Sequence, residues 1–282
     1  MRLAILRPAD DYYVGWQADA DDYKRLFGDA LELRIWSDAG DLSGFDLILP
    51  LLAWGYQREP ARWYGLLDSW KGLPFANGLE TLRWNTNKAY LRDMDARGVP
   101  IVPTQIAATL GPTDIADARA LFGSGPLIVK PAISGGAEGT YRLGPTDPIP
   151  TDVVGREMLI QPLMRAIAEE GEFSLFHFGD RFSHAILKRP AEGDFRVQEQ
   201  FGGQEVAIDP PAAALTLAQA ALAAAPGPLL YARVDMVRDS AGAFALMELE
   251  LIEPSLFLSH ATDRGAMFAD AVFGATVLGR AG

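Results

Sequence analysis

Residues 247–255 read Met-Glu-Leu-Glu-Leu-Ile-Glu-Pro-Ser, an otherwise apolar strand that carries carboxylates. Residues two apart in a strand point the same way, so Glu248 and Glu250 lie side by side, with Glu253 at the strand's end. Carboxylates placed that close repel one another and shift each other's pKa. The fold must therefore leave this face to water on an edge strand or bring positive charge to it. Oxygen-only ligands of this kind suit a hard cation such as Mg2+. Taken alone, the segment supports the solvated acidic edge equally well.

Composition narrows the choice. A chain of 282 residues, 49% hydrophobic and 22% charged, is an ordinary globular protein with length for two or three domains or one large one. No apolar run approaches the roughly 20 residues that span a bilayer. The opening Met-Arg-Leu-Ala-Ile-Leu-Arg-Pro is charged again too soon for a signal peptide and reads as a strand. A cytoplasmic setting is expected. With no cysteine there is no disulfide, thiolate metal site or cysteine nucleophile, and three histidines are too few to suggest a histidine metal cluster. The net charge of −12 argues against nucleic-acid binding, which needs a basic surface. A nucleotide is compatible with it, since a few local cations can hold phosphates.

Strand and helix patterns alternate over the first 80 or so residues, which predicts an open α/β layer. Strands are expected at 2–7, 31–36, 45–52 and 74–77, and helices at 19–28, capped by Asp19 or Asp21, and 63–70. Further on, helices are expected at 85–97, 114–122, 211–225 (capped by Asp209) and 263–277. Strands are expected at 127–131 and 158–163, in a hairpin of 173–178 and 181–188 that turns at Gly179-Asp180, and at 231–237 and 244–251. There is no internal repeat.

Three constellations carry chemistry. Lys130 ends a buried strand, and Ser134-Gly135-Gly136-Ala137-Glu138-Gly139-Thr140 follows it. Glycines let backbone N–H groups approach an anion closely, though this is neither a P-loop nor a dinucleotide fingerprint. Lys188-Arg189-Pro190, Asp194-Phe195-Arg196 and Gly202-Gly203 place cations beside a glycine pair, a composition able to clamp a phosphoryl group and equally common in solvated turns. Arg233 and Asp235 share a strand face, where Asp235 is either a third metal ligand or a salt-bridge partner of Arg233. His177 and His184 read as packed strand residues, and His260 as a residue that could help bind substrate. Trp54, Tyr56, Trp63 and Trp84 read as core or cleft wall, and the loop 53–56 after a core strand is placed to meet substrate.

The order of lysine, glycine loop, strand with Gln161, basic loop, strand aspartate and strand glutamates resembles the ATP-grasp superfamily, in the part that holds glutathione synthetase, the RimK-type ligases and the D-cycloserine-forming ligase. The resemblance runs from about residue 75 to 256 and includes Asn87-Lys88 before Gly98-Val99-Pro100, and Ile128-Val129-Lys130-Pro131. It implies an α/β fold, α+β in the nucleotide module, with an N-terminal Rossmann-like domain at 1–84. A helical linker with the small lobe would span 85–160, and the large lobe with the metal and substrate site 161–282.

Position by position, the resemblance implies that Lys88 and Lys130 contact the ATP phosphates and that Ser134, Gly135, Gly136, Gly139 and Thr140 cover them. Gln161, Pro162 and Leu163 would lie along the adenine, with Glu172 at the ribose. Asp235, Glu248, Glu250 and Glu253 are the candidate ligands for Mg2+, with Mn2+ as a substitute. Arg196, Lys188 and Arg233 would stabilise the transferring group. The family's asparagine near the second glutamate is replaced here by Glu250 or Glu253, and Gln198 stands where asparagine is common. The implied activity joins a small carboxylate to an amine or other nitrogen nucleophile through an acyl phosphate, releasing ADP. The implied partners are small molecules, with no nucleic acid or membrane, and a homodimer. A kinase without ligation and a non-catalytic ATP-binding regulator or scaffold are the alternatives.

Overall fold

The computed structural model describes residues 1–12 and 15–278. The chain begins with β1 (Leu3–Arg7), α1 (Gln17–Phe27), β2 (Leu31–Ile35), β3 (Leu47–Leu49) and α2 (Pro60–Ser69). Next come α3 (Leu79–Thr86), α4 (Tyr90–Ala96), β4 (Gln105–Ala107), α5 (Pro112–Phe122), β5 (Leu127–Pro131), β6 (Tyr141–Leu143) and β7 (Met158–Pro162). A short α6 (Ala166–Glu169) leads into β8 (Glu172–Phe178), β9 (Arg181–Arg189), β10 (Gln204–Ile208) and α7 (Ala212–Ala224). The last elements are β11 (Tyr231–Arg238), β12 (Phe244–Glu250) and α8 (Ala266–Leu278).

The strands make three sheets. The first is parallel in the order β2-β1-β3, the second antiparallel in the order β4-β7-β5-β6, and the third antiparallel in the order β10-β9-β8-β11-β12. β1 is buried on both faces, as a parallel core strand must be. Leu3 and Ile5 pack with α1 and α8, while Ala4 and Leu6 pack with Trp63, Leu67 and Trp70. The first of these clusters also takes in Phe176, Phe178 and Tyr231, and so joins the parallel sheet to one face of the five-stranded sheet. The other face of the five-stranded sheet packs against α7 and α4. The four-stranded sheet has its own core with α5. Among the described residues no helix is long and apolar enough to cross a membrane.

Several expected elements differ in extent. The 45–52 run gives only the short β3, and 74–77 gives a single bridge between Ile48 and Phe75. Trp16 and Pro211, not Asp19, Asp21 or Asp209, sit at the starts of α1 and α7. The expected helix 85–97 is two helices with a break at 87–89. The break has a cause: Asn87 turns extended (φ −105°, ψ 120°), its Oδ1 accepts from the Ala89 N–H at 2.8 Å, and the Lys88 N–H donates to the Ala132 carbonyl at 2.7 Å. A continuous helix would have consumed that N–H internally.

β12 is the sheet's last strand, and its open edge is closed by side chains. Asn85 Nδ2 donates to the Leu249 carbonyl (2.8 Å) and its Oδ1 accepts from the Leu251 N–H (2.9 Å). The Leu249 N–H donates to the Tyr90 hydroxyl at 2.7 Å. Asn77 Nδ2 donates to the carbonyls of Tyr231 and Leu251 at 2.9 and 2.8 Å. Pro100 and Val102 exchange backbone hydrogen bonds with Leu246. An unpaired buried backbone group is costly, so these bonds set where β12 lies.

Two outcomes follow for stability. Asn85→Leu strands a buried carbonyl and a buried N–H and should cost about 2–4 kcal/mol in urea unfolding. His177 lies in the core beside Phe182, with neither ring nitrogen bonded, and burial lowers its pKa to about 4. The unfolded chain binds that proton near pH 6.5 and the folded chain does not. The stability contribution is therefore complete above pH 6.5 and lost as pH falls toward 4. The loss should reach about 2–3 kcal/mol, and the difference between wild type and His177→Leu across that range measures it.

Candidate active site

The antiparallel register of the five-stranded sheet lays charged residues in a row. β9 pairs Lys188 with Glu172 of β8, β8 pairs Ser174 with Asp235 of β11, and β11 pairs Asp235 with Glu248 and Arg233 with Glu250 of β12. The charged side chains of this row line one cavity of about 1040 Å³.

The row is held by opposite charges. Arg233 Nε lies 3.1 Å from both oxygens of Asp235, and its Nη2 pairs with Glu250. Lys188 Nζ is 3.2 Å from Glu172 and 3.5 Å from Asp235, which also accepts from the Ser174 hydroxyl. Lys88 comes from the break before α4, reaches Glu248 at 2.9 Å and donates to the Ser134 carbonyl. Burial alone would raise Asp235 and Glu248, but Arg233 and Lys188 hold the first low, and Lys88 and Lys130 the second. Burial with the repulsion of Asp235 and Glu248 outweighs Arg233 at Glu250 and raises it to about 7. Burial and the Glu250 charge raise Glu253 to about 8. Burial likewise raises Glu172. Negative charge in the cavity therefore exceeds what the protein's own cations neutralise.

Lys130 is the penultimate residue of β5 in the four-stranded sheet and lines the same cavity. It is buried, and burial lowers its pKa. Among the described residues no hydrogen-bond acceptor or ion-pair partner meets its ammonium. The glycine loop follows it, with Gly136 and Gly139 in the left-handed region (φ 57° and 69°), where glycine costs least. Ala137 takes the same conformation without that freedom. The loop is tied on two sides: Gln200 donates to the Gly136 carbonyl at 3.0 Å, and Arg58 pairs with Glu138 at 3.1 Å.

The remaining candidates gather here as well. Gln161 is buried and donates to the Thr104 hydroxyl at 2.8 Å, and Gln161, Pro162 and Leu163 line the cavity. Glu172 is buried in its pair with Lys188 rather than standing open. Arg196 lines the cavity but is held by Asp194 at 2.8 Å, with its guanidinium 3.6 Å above the Phe201 ring. Gly203 closes this basic loop, since a Cβ there would sit 2.0 Å from the Val197 carbonyl oxygen.

Some functional positions escaped sequence reasoning. Asn85, Asn77 and Tyr90 hold the acidic strand through its edge, and Trp54 Nε1 donates to the Glu253 carbonyl at 3.0 Å. Only Asn87, a residue that favours local turns, signalled the break that delivers Lys88.

The oxygen-only donors and their uncompensated charge fit a hard divalent cation. Among the described residues, no three acidic or histidine side chains already converge on one point; Asp235, Glu248 and Glu250 turn to cations instead. The groups fit a cation that arrives with other ligands rather than one held by protein alone.

No protein-family model matches the chain. It is 27% identical over 271 residues to the cycloserine biosynthesis protein DcsG of Streptomyces lavendulae, covering 88% of this chain and 89% of that protein. The crystal structure of D-cycloserine synthetase DcsG superimposes with a TM-score of 0.86 at 26% identity, over 98% of this chain and 100% of the other. A D-alanine–D-alanine ligase from Bacillus anthracis has the same fold, with a TM-score of 0.69 at 18% identity over 100% and 99% of the two chains. The ATP-grasp ligase PsnB, complexed with minimal precursor, Mg and ADP, gives a TM-score of 0.65 at 15% identity over 97% of each chain. The chain thus has the fold of the ATP-grasp ligases from end to end and is similar along its length to a D-cycloserine synthetase, likenesses that indicate an enzyme forming a C–N bond.

Proposed function

We propose that the protein uses ATP and Mg2+ to join a small carboxylate to an amine or other nitrogen nucleophile through an acyl phosphate, with release of ADP. The observation that carries the nucleotide part is Lys130, a buried ammonium facing the cavity with no protein acceptor, directly before a loop rich in backbone N–H groups. A buried cation without a partner is expensive, and a phosphate relieves that cost.

In this reading Lys88 and Lys130 hold the phosphates, residues 134–140 cover them, and Gln161 to Leu163 border the adenine. Glu172 reaches the ribose only by giving up part of its contact with Lys188. Asp235, Glu248, Glu250 and Glu253 are the residues that would hold Mg2+, which when bound neutralises phosphate charge during transfer. Arg196 moves from Asp194 to the transferring phosphoryl group. The substrate carboxylate takes that group, the nitrogen attacks the acyl carbon, and Arg233 and Lys188 stabilise the oxyanion. Phosphate leaves as the C–N bond is made. No protein nucleophile is required, in keeping with a chain that has no cysteine. The closed glycine loop keeps water from the acyl phosphate.

Thermal unfolding with ATP and MgCl2 tests the site. Ligand at about 100 times its Kd should stabilise the wild type by roughly 2.7 kcal/mol. Lys130→Met should abolish that gain while leaving the ligand-free protein folded, because it removes a buried charge that makes no hydrogen bond or ion pair and Lys88 still pairs with Glu248. Glu248→Gln/Glu250→Gln should lose the metal-dependent part. Carboxylate and amine pairs are then screened for ADP release, with hydroxylamine trapping the acyl phosphate. A wild type that unfolds at one temperature with or without ATP and MgCl2 would overturn the reading.

A further inference from the structure

Past β12 the chain turns at Pro254 and forms part of the cavity wall with Ser255, Phe257, Leu258 and His260. Phe257 sits in the left-handed region (φ 46°, ψ 43°). A bulky side chain there is a conformational outlier, and such a residue persists only where its surroundings over-determine it. Those surroundings are identifiable. His184, on β9 and outside the charged row, is buried and lies parallel to the Phe176 ring, with centroids 4.3 Å apart and planes 6° from each other. Its Nε2 is 3.0 Å from the Leu256 carbonyl oxygen and its Nδ1 is 2.9 Å from the Ser183 hydroxyl. A carbonyl only accepts, so Nε2 carries the proton and Nδ1 accepts from Ser183. The residue before Phe257 is thus clamped by its carbonyl. One residue earlier, the Ser255 carbonyl accepts from Arg233 at 3.3 Å and the Ser255 hydroxyl donates to Asp19 at 2.6 Å. The Phe257 ring then lies with its centroid 5.9 Å from Lys188 Nζ and 6.0 Å from Phe176.

We propose that His184 is a positioning residue of the ligase: its Nε2–H holds the Leu256 carbonyl so that Phe257 stays left-handed beside Lys188, and the Phe257 ring limits the size of the substrate side chain that the cavity accepts. The substrate part rests on the ligase reading, and the positioning part stands on geometry. His184 touches no reacting atom in this scheme. Its effect is transmitted through one carbonyl and one strained residue.

Three variants separate the roles. His184→Phe keeps an aromatic ring against Phe176 and removes the hydrogen bond. His184→Gln keeps a donor near the Nε2 position. Phe257→Gly accepts the left-handed conformation without any clamp. Crystal structures of wild type and His184→Phe are compared first, and in the variant Phe257 should leave the left-handed region and move off Lys188. ADP release is then measured over a panel of D- and L-amino acids and their amides, singly and in pairs. For the best pair, His184→Phe should raise the KM of the amino-acid substrates by about tenfold or more while the KM for ATP stays within about twofold. His184→Gln should restore wild-type values, and His184→Phe should have little further effect in the Phe257→Gly background. Phe257→Ala should move the preference toward bulkier side chains.

The positioning claim is overturned if Phe257 keeps its conformation in His184→Phe, or if the KM values for ATP and amino acids rise together with a loss of Tm. A Phe257→Ala variant with an unchanged preference overturns the size limit. A wild type that releases no ADP with any pair counts against the ligase reading and the size limit together, and the crystal structure of His184→Phe still decides the positioning.

Discussion

The structure depends on charge compensation across one face of the five-stranded sheet. Five carboxylates, Glu172, Asp235, Glu248, Glu250 and Glu253, open onto one cavity, and like charges held so close in a poorly solvated site cannot all ionise without partners. The partners come from separate parts of the chain. Arg233 shares β11 with Asp235, Lys188 lies across the sheet on β9, Lys88 arrives from the break between α3 and α4, and Lys130 comes from the four-stranded sheet. The long-range ion pairs therefore do more than add stability, which for exposed pairs would be small. They specify how the helical segment that carries Lys88 faces the acidic row, while Lys130 adds positive charge from the four-stranded sheet without a direct pair.

A second constraint follows from the first. A strand that carries the cavity's carboxylates must be fixed along its length, yet β12 is the last strand of its sheet. An open edge is free to slip or to pair elsewhere. Asn85 acts here as a one-residue strand, giving one bond to Leu249 and accepting one from Leu251. Tyr90 and Asn77 fill the neighbouring backbone groups. The helix break that frees Lys88 lies directly after Asn85, so the segment that locks the acidic strand also delivers the first cation to it.

Much of this was legible in the sequence, and the reasons differ by element. The hairpin of β8 and β9, the strands β5, β7, β11 and β12, and the lysine–glycine-loop order have short-range signals: apolar runs, turn residues and a period of two. The acidic strand announced itself because its carboxylates break an apolar pattern. β4, β6 and β10 went unread because they are short or exposed, and their pairing comes from neighbours distant in sequence. The continuous helix expected at 85–97 failed because helical periodicity survives a three-residue break, and the force that opens it, the Lys88 N–H meeting Ala132, is tertiary. The roles of Asn85, Asn77 and Trp54 were invisible for a similar reason. Each satisfies a backbone group more than 150 residues away, and nothing in an isolated asparagine or tryptophan distinguishes that use from a turn or a core.

The unequal pKa values in the row say what kind of ligand completes it. Glu248 and Asp235 are held low by lysine and arginine, whereas burial and the charges of neighbouring carboxylates raise Glu250 and Glu253 to about 7 and 8. Lys130 shows the opposite imbalance, a buried cation that feels the Glu248 charge but has no hydrogen-bonded or ion-paired acceptor among the described residues. A ligand that brought only phosphate would satisfy Lys130 and add repulsion at Glu250 and Glu253; one that brought only a divalent cation would do the reverse. Nucleotide and metal together correct both imbalances at once, so under the proposed reaction each raises the affinity for the other by the same factor. Under that reading the coupling arises from the placement in one cavity of a lysine without a hydrogen-bonded or ion-paired acceptor and two glutamates that burial keeps from ionising freely.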